Sequence, residues 1–300
     1  MKLQNSDRLI FVISGGTGKN IMATAVVEAA HKQFPNAEII VATPWVEVWF
    51  NNPHINCVIN ITKESDLYKN FVNKPNTSVF LHDVYHEASF IHKAKHLNES
   101  WADMCGIKYN GELPKMYFTD EERAATKAKL PQDGKPLFFI QTSGGAQNQD
   151  YPISWMRDMP LSIAQRVVDR MNALGYTTVH IRRPDQYGLS GTFVPHFTLR
   201  EMLCSIEFSD KRLLIDSVME HAAAAMRKPS VILWTGNRPN VFGWEMHTNL
   251  LPRETPKFRH KIDSYLEPYN ITGLIHECPY DTDELFDMEE ILTKVLKLEK

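Results

Sequence analysis

The sequence predicts an α/β protein with two Rossmann-like, doubly wound domains that face each other across a cleft. Short apolar runs alternate with helical patterns along most of the 300 residues, which is typical of parallel sheets covered by helices. The alternation restarts after residues 130–136, a segment rich in proline, glycine and polar residues. We therefore predict a first domain at 1–133, a second domain at 134–280 and a final helix in 281–300.

The elements of the first domain follow from local hydrophobic patterns. Short apolar runs predict strands, and longer stretches with one apolar face predict helices. In chain order, we predict a strand at 9–14, a helix at 20–33, strands at 38–43, 57–61 and 78–81, and helices at 88–105 and 120–129.

The second domain repeats this alternation. Its predicted elements are a strand at 137–141, a helix at 161–174, a strand at 177–181, a helix at 199–206, a strand at 213–215, a helix at 217–228 and a strand that ends at Trp234. The strongly periodic stretch 283–298 predicts the final helix.

Composition excludes several classes of protein. Hydrophobic residues make up 43% and charged residues 23%, which is typical of a globular chain, and the net charge of −3 without a basic run argues against a nucleic-acid binder. The four cysteines are scattered and form no Cys-x-x-Cys pair, so we expect free thiols in the cytoplasm. The sequence has no stretch of 18 apolar residues, and we expect no transmembrane segment.

The junction at Asp216 combines charged and hydroxyl groups between a predicted strand and a predicted helix. Ser217 and Glu220 have the spacing of a capping box, which would start a helix at Ser217, and His221 follows in the first turns. A helix N-terminus attracts phosphate through free N–H groups and its partial positive charge. A strand-to-helix turn also needs polar residues without any ligand, so a purely structural interpretation stays open.

From Asp216 to Gly236 the sequence resembles the carboxyl-terminal signature of glycosyltransferase family nine, the ADP-heptose:lipopolysaccharide heptosyltransferases. The residues that carry the resemblance are Asp216, Ser217, His221, Ala223, Ala224, Lys228, Pro229, Val231, Leu233, Trp234 and Gly236. This chain has Val218 where the family usually has glycine.

The resemblance implies a GT-B fold and the transfer of a sugar from a nucleoside diphosphate donor, with inversion and with neither metal nor cofactor. It implies a glycan or lipid-linked glycan acceptor, as in lipopolysaccharide biosynthesis, and leaves peripheral contact with a membrane open. In GT-B proteins, the final helix packs back towards the N-terminal domain, and we expect the same here.

The N-terminal glycine-rich turn extends the resemblance to the other end of the chain. Residues Gly16, Thr17 and Gly18 resemble the family's acceptor-side loop, which is followed, as here, by a helix, Phe34-Pro35 and a second strand. The turn is not a nucleotide-hydrolysing P-loop, because Ile13 and Asn20 occupy positions that require glycine and a hydroxyl residue. It also lacks the third glycine and the acidic residue of a dinucleotide fingerprint.

The family carries its proposed catalytic aspartate in this turn, where the present chain has Lys19. A lysine cannot act as a base at neutral pH unless its pKa is strongly lowered. Lys19 is therefore either a solvated first-turn residue or a cation that neutralises the diphosphate leaving group.

Polar residues after the strand at 78–81 are the best substitutes for the base. Asp83 is the first candidate and His86 the second, because the carboxyl ends of parallel strands line ligand clefts. The pairs His82/His86 and His92/His96 have a spacing that suits metal ligation on a helix. We expect no metal, because no helix with a carboxylate in register is predicted there.

The second domain offers a further phosphate-binding turn. Ser143, Gly144 and Gly145 follow its first strand and resemble the turn that holds the donor phosphates in the family. Arg182 follows the next strand and could pair with phosphate or form part of a surface turn. Together with Asp216, Ser217 and His221, these residues form the predicted donor site.

The function predicted from the sequence is glycosyl transfer. A non-catalytic protein that binds a nucleotide sugar, as a regulator or scaffold, is the alternative that Lys19 leaves open. A nucleotide-sugar epimerase on the same two-domain fold is a third class, because fold alone does not decide function.

Overall fold

The computed structural model describes residues 6–64, 66–81, 83–144, 157–253 and 284–299. The chain forms two compact units, Met1–Thr119 and Asp120–Lys300. The boundary lies earlier than the predicted one at residue 133. The helix that begins at Asp120 packs against the helix that begins at Leu199, and it therefore belongs to the second unit.

The first unit is built on a parallel sheet of four strands. The strands are β1 (Arg8–Val12), β2 (Glu38–Thr43), β3 (Cys57–Asn60) and β4 (Thr77–Phe80), in the order β3-β2-β1-β4. The helices are α1 (Thr17–Gln33), α2 (Ala88–Ile91) and α3 (Leu97–Cys105). Alanines and β-branched residues let α1 bury most of its surface.

The single helix predicted at 88–105 is in fact two helices. The chain leaves the helical conformation after α2, and Lys93 takes a positive φ of 54° before α3 begins. His96 caps α3, where its side chain accepts a hydrogen bond from the backbone N–H of Asn98. His92 and His96 therefore do not share a helix face, and the spacing argument for a metal does not apply to them.

The second unit is built on a parallel sheet of five strands. The strands are β5 (Leu137–Ile140), β6 (Thr177–His180), β7 (Lys211–Ile215), β8 (Val231–Leu233) and β9 (Thr248–Leu250), in the order β6-β5-β7-β8-β9. The helices are α4 (Asp120–Ala128), α5 (Leu161–Ala173), α6 (Leu199–Ser205), α7 (Val218–Ala225), α8 (Pro239–Phe242) and α9 (Met288–Lys297). Strand β9 and helix α8 were not predicted.

Two parallel α/β sheets confirm the predicted fold class. In the hydrophobic core of the second unit, side chains of β5, β7 and β8 pack against α5 and α9. Helix α9 thus packs within its own unit, and its predicted packing towards the first unit stays a prediction. Cys57, Cys105 and Cys204 are free thiols, as predicted, whereas Cys278 lies outside the described residues. In the part of the chain that is described, no helix has the length and apolar composition that a membrane span needs.

Arg212 is the largest charged side chain in this core, with an exposed fraction of 0%. Its guanidinium donates hydrogen bonds to the backbone carbonyls of Pro229 at 2.8 Å, Ser209 at 2.6 Å and Glu299 at 2.8 Å. Burial lowers the pKa of Arg212 to about 10. One buried side chain therefore ties β7 to the turn before β8 and to the end of the chain.

Replacement of Arg212 by methionine should destabilise the fold by about 3 kcal/mol, because buried carbonyls lose their hydrogen-bond donors. The measurement is chemical denaturation, with Arg170→Met on the exposed face of α5 as the control. An Arg212→Met protein as stable as the control would contradict this role.

Candidate functional site

Each sheet has one position at which the strand order reverses. In the first unit it lies between β1 and β4, and in the second unit between β5 and β7. Loops leave the carboxyl ends of such neighbouring strands in opposite directions, and the crevice between them is where α/β proteins bind ligands. Lys19 and Asp83 follow the two strands at the first position, and Ser143 and Asp216 follow the two strands at the second position.

The turns after β5 and β7 contact each other in the second unit. Gln141 Nε2 lies 3.5 Å from Ser217 Oγ. A Cβ atom on Gly144 would lie 3.3 Å from the same hydroxyl oxygen, so glycine permits the close approach. The structure therefore places Gly144 beside Ser217, with Ser143 and Asp216 next to them in the chain, whereas Gly145 lies outside the described residues. The role of these residues towards a donor stays a prediction.

Asp158 is bonded to the backbone of Gly144, the residue that we predicted to bind a donor phosphate. The backbone N–H of Gly144 donates to Asp158 Oδ1 at 2.8 Å. Burial raises the pKa of Asp158 to about 6, and the bond from Gly144 opposes this rise. The amide that we predicted for a donor phosphate thus already has a carboxylate partner.

The turn after β5 is also hydrogen-bonded to β6. Thr142 Oγ1 and His180 Nε2 lie 3.0 Å apart, and burial lowers the pKa of His180 to about 4, which keeps the imidazole neutral at physiological pH. Arg182, predicted as a phosphate ligand, donates from its Nη1 atom to the backbone carbonyls of Arg183 at 3.1 Å and Gln186 at 2.8 Å. It thereby orders the loop after β6, and its role towards phosphate stays a prediction.

Asp216 is a buried carboxylate with an exposed fraction of 3%. Its Oδ2 atom accepts a hydrogen bond from Asn237 Nδ2 and lies 3.6 Å from Arg157 Nε. Such partners offset the free-energy cost of burying a polar carboxyl group away from water. The arrangement gives the site a fixed acceptor group directly at the carboxyl end of β7.

The predicted capping box at Ser217 and Glu220 is not formed. Ser217 is the N-cap residue, but its side chain makes no capping hydrogen bond, and helix α7 starts at Val218 and ends at Ala225. The Ser217 hydroxyl lies against Gln141 and Gly144 instead. Ser217 thus leaves the first backbone N–H groups of α7 without a cap from its own side chain, and uncapped N–H groups at a helix N-terminus can bind an anion.

Glu220 is fully buried in α7, with an exposed fraction of 0%. Neither of its carboxyl oxygens has a hydrogen-bond partner among the described residues. Burial raises the pKa of Glu220 well above its usual value, and the charge of Asp216 raises it further while Arg157 opposes the rise. A carboxyl group in this position is favoured in its neutral, protonated form.

His221 is the next residue of α7 and is also buried. The indole Nε1 of Trp244 donates a hydrogen bond to His221 Nδ1 at 3.1 Å, and the two rings meet edge to face. Of the described residues, Asp216, Glu220 and His221 form the group that could hold a metal, with ligand atoms within 4.8 Å of one another.

Two contacts disfavour a cation at this group. A metal on Nε2 would place the ring proton on Nδ1, where it would face the indole N–H of Trp244. Arg157 already supplies a positive charge beside Asp216. Metal independence stays a prediction.

Lys19 of the first unit is buried rather than solvated. Only 4% of its side chain is exposed, and its ammonium lies 4.7 Å from the ring centre of Tyr85 and 5.4 Å from that of Trp101. Its Nζ atom donates to Asp83 Oδ1 at 3.3 Å. The interpretation of Lys19 as a solvated first-turn residue is therefore wrong.

The predicted base Asp83 is exposed and oriented by two donors. Both Lys19 Nζ and the backbone N–H of Tyr85 donate to its Oδ1 atom at 3.3 Å. Its Oδ2 atom has no partner in the described part of the chain. His86 is exposed at the end of the short 3-10 helix Val84–His86, and His82 lies outside the described residues.

The glycine-rich loop leads into α1 without a side-chain cap. Gly15 takes a φ of 94°, which side chains rarely adopt, and its carbonyl accepts a hydrogen bond from the indole of Trp45 at 2.7 Å. Gly16 is the N-cap residue, and Thr17 and Gly18 form the first turn. Asn20 in the same turn accepts from Thr43 and Trp49, which fixes the helix start on the sheet.

Several residues of the two sites were not predicted. Arg157, Asp158, Asn237 and Trp244 contact the Asp216 site, and Tyr85 and Trp101 enclose Lys19. They come from separate segments of the chain, and no local pattern marks them. The run Trp-Thr-Gly-Asn after β8 was the one signal available, because Asn237 also follows a strand carboxyl end.

Glu220→Gln should change how stability depends on pH. The pKa of Glu220 is raised on folding, so wild-type stability is lost as pH rises through the unfolded pKa towards the folded one. Glutamine stays neutral at every pH. The difference in free energy of unfolding between the variant and the wild type should therefore grow, in favour of the variant, by about 1.4 kcal/mol for each pH unit in this window.

Denaturation curves between pH 4 and pH 8 measure this difference. Glu99→Gln on the exposed face of α3 is the control. Its difference in free energy of unfolding from wild type should change little with pH. A constant gap for Glu220→Gln would show that the buried carboxyl does not titrate as the structure indicates.

Comparison with known proteins gives a match in structure only. A scan against protein-family models and a search of curated proteins both find no match. A glycosyl transferase family 9 structure from Veillonella parvula is similar with a TM-score of 0.67 and 15% identity, covering 96% of both chains. The ADP-heptose lps heptosyltransferase II of E. coli is similar with a TM-score of 0.61 and 14% identity, covering 85% of this chain and 93% of that chain.

A third similar structure is that of TibC from enterotoxigenic E. coli, an iron-containing dodecameric heptosyltransferase solved with ADP-D-β-D-heptose. It has a TM-score of 0.63 and 15% identity, and the match covers 98% of this chain and 74% of that chain. The predicted resemblance is thus confirmed at the level of structure. The chain has the fold of the family nine glycosyltransferases and ADP-heptose heptosyltransferases.

Proposed function

We propose that this chain is a glycosyltransferase that moves a heptose-like sugar from a nucleoside diphosphate donor to a glycan or lipopolysaccharide-type acceptor. Transfer proceeds with inversion and without a metal. The observation that carries the proposal is the meeting of the turns after β5 and β7, with Asp216 buried between Asn237 and Arg157 and the N-terminus of α7 uncapped beside it. The shared fold with heptosyltransferases supports it.

The donor binds in the second unit. The uncapped N–H groups of α7 and the Ser217 hydroxyl face the diphosphate, because hydrogen-bond donors and a helix dipole stabilise negative charge. The same groups stabilise the charge that develops on the leaving diphosphate, which is the main electrostatic demand of the reaction. Asp216 accepts a hydrogen bond from a sugar hydroxyl, and His221 donates one to the sugar.

The acceptor binds in the first unit, at the position where Asp83 follows β4. Asp83 Oδ2 takes the proton from the acceptor hydroxyl, while Lys19 and the N–H of Tyr85 hold Oδ1 in place. Lys19 occupies the position of the family's catalytic aspartate, but here it orients the base Asp83 instead of acting as the base.

A non-catalytic protein that binds a nucleotide sugar is the second candidate. It is favoured by Lys19, which fills the usual base position with a cation that is stacked on two aromatic rings. This candidate binds ADP-heptose as tightly as an enzyme does but releases no ADP when an acceptor is added.

The donor site is tested by thermal shift with ADP, UDP, GDP, dTDP and CDP in the absence of magnesium. A bound diphosphate at about 100 times its Kd should stabilise the protein by about 2.7 kcal/mol, and we expect one nucleotide to stand out. Asp216→Asn should weaken ADP-heptose about tenfold and leave ADP unchanged, because Asp216 contacts the sugar. Asp169→Asn on α5 is the matched control, and no response to any nucleotide would reject the donor site.

The base is tested by ADP release from ADP-heptose with a lipopolysaccharide core acceptor. Asp83→Asn should lower the rate by 100-fold or more while ADP-heptose affinity is kept, since the base acts only in the reaction. Lys19→Met should lower the rate less, because Asp83 is still present but loses one of the two donors that orient its Oδ1 atom. Glu87→Gln is a nearby control. An Asp83→Asn protein with full activity would require another base.

A further inference from the structure

Trp244 contacts the donor site from outside the signature between Asp216 and Gly236. Its indole ring has an exposed fraction of 4%, and its Nε1 donates to His221 Nδ1 at 3.1 Å. The ring centres are 6.2 Å apart at an angle of 88°. Trp244 reaches α7 because Gly243 precedes it in a tight corner after α8.

The contact decides where the proton of His221 lies. An indole N–H can only donate, so Nδ1 of His221 must present its lone pair. A neutral imidazole then carries its single proton on Nε2. Trp244 therefore makes His221 a hydrogen-bond donor through Nε2 and fixes the plane of its ring.

The position of Trp244 is itself fixed by the surrounding chain. Its carbonyl accepts from Asn249 Nδ2 at 3.3 Å, and Asn249 Oδ1 accepts from Trp234 Nε1 at 2.8 Å. A Cβ on Gly243 would lie 2.8 Å from the carbonyl oxygen of Pro239 and 2.9 Å from the ring of Trp234. This corner leaves Trp244 little freedom to move away from His221.

His247 fastens the same corner to α7 by a second bond. The backbone N–H of Ser230 donates to His247 Nδ1 at 3.2 Å, so the ring proton lies on Nε2, which donates to the carbonyl of Glu220 at 3.2 Å. Burial lowers the pKa of His247 to about 4, and this tautomer therefore persists at physiological pH. Two neighbouring residues of α7 are thus held by ring side chains of the 243–249 segment.

We propose that Trp244 is a positioning residue that holds His221 with its proton on Nε2, directed to hydrogen-bond the bound nucleotide sugar. The inference rests on the proposed function, because it assigns a partner to the same donor site. Trp244 acts through His221, and it contributes to binding without contacting the ligand.

The tautomer is measured first and without any ligand. Nitrogen-15 spectra of the imidazole should show His221 with an unprotonated, hydrogen-bonded Nδ1 in the wild type. In Trp244→Phe, which keeps an aromatic ring but loses the N–H, the Nδ1 and Nε2 signals should move towards each other, because the proton is no longer confined to Nε2. A signal that does not change between the two proteins, or a wild-type proton on Nδ1, would overturn the proposal.

Affinity for ADP-heptose is measured next by calorimetry. Trp244→Phe should bind about tenfold more weakly than wild type, as expected when a hydrogen bond to a charged ligand loses its orientation. In a His221→Ala background, Trp244→Phe should have no further effect, because coupled residues are not additive. An equal loss in both backgrounds would show that Trp244 only stabilises the fold.

Trp49→Phe is the matched control. It removes another buried indole N–H, the one that donates to Asn20 in the first unit, without touching His221 or the residues that hold Trp244. We expect a loss of stability but unchanged nitrogen-15 signals of His221 and unchanged affinity. If wild type does not bind ADP-heptose, the proposed function fails, and the nitrogen-15 comparison still decides whether Trp244 holds the tautomer.

Discussion

The site in each unit depends on the reversal of strand order in its parallel sheet. At β5 and β7 the turns that follow the two neighbouring strands contact each other at the carboxyl ends of these strands. Gly144 lets the turns come within contact distance of Ser217, and Asp216 is held at the end of β7 by Asn237 and Arg157. The first unit has an equivalent arrangement at β1 and β4, where Lys19 and Asp83 join the segments that follow these two strands.

Buried charge distinguishes the two sites. In the second unit, two carboxyl groups lie close together but differ in their partners. Asp216 accepts from a donor, whereas Glu220 has no hydrogen-bond partner among the described residues and is favoured as a neutral acid. In the first unit, the buried cation Lys19 is balanced by the exposed carboxylate Asp83 and by two aromatic faces. Both solutions avoid an isolated ion in a medium of low polarity.

The fold could be predicted from the sequence to a large degree, because alternation of strand and helix is a local signal. Strand β2 was predicted at its observed residues, and most other elements within a few residues. The failures have physical causes. The helix predicted at 88–105 is interrupted where Lys93 adopts a positive φ, and β9 is too short to be recognised by its own pattern.

Local sequence patterns were enough to predict the fold class, the position of the polar turns after the strands and the family that the signature resembles. Which groups contact one another depends on how the elements pack. The spacing of Ser217 and Glu220 predicted a capping box, but the serine hydroxyl packs against Gln141 and Gly144 instead. Glu220 is buried with no hydrogen-bond partner in the part of the chain that is described. Likewise, Trp244 reaches His221 and Lys19 reaches Asp83 across 23 and 64 residues of sequence, respectively. Such contacts depend on how strands are ordered in the sheet, which no local pattern records.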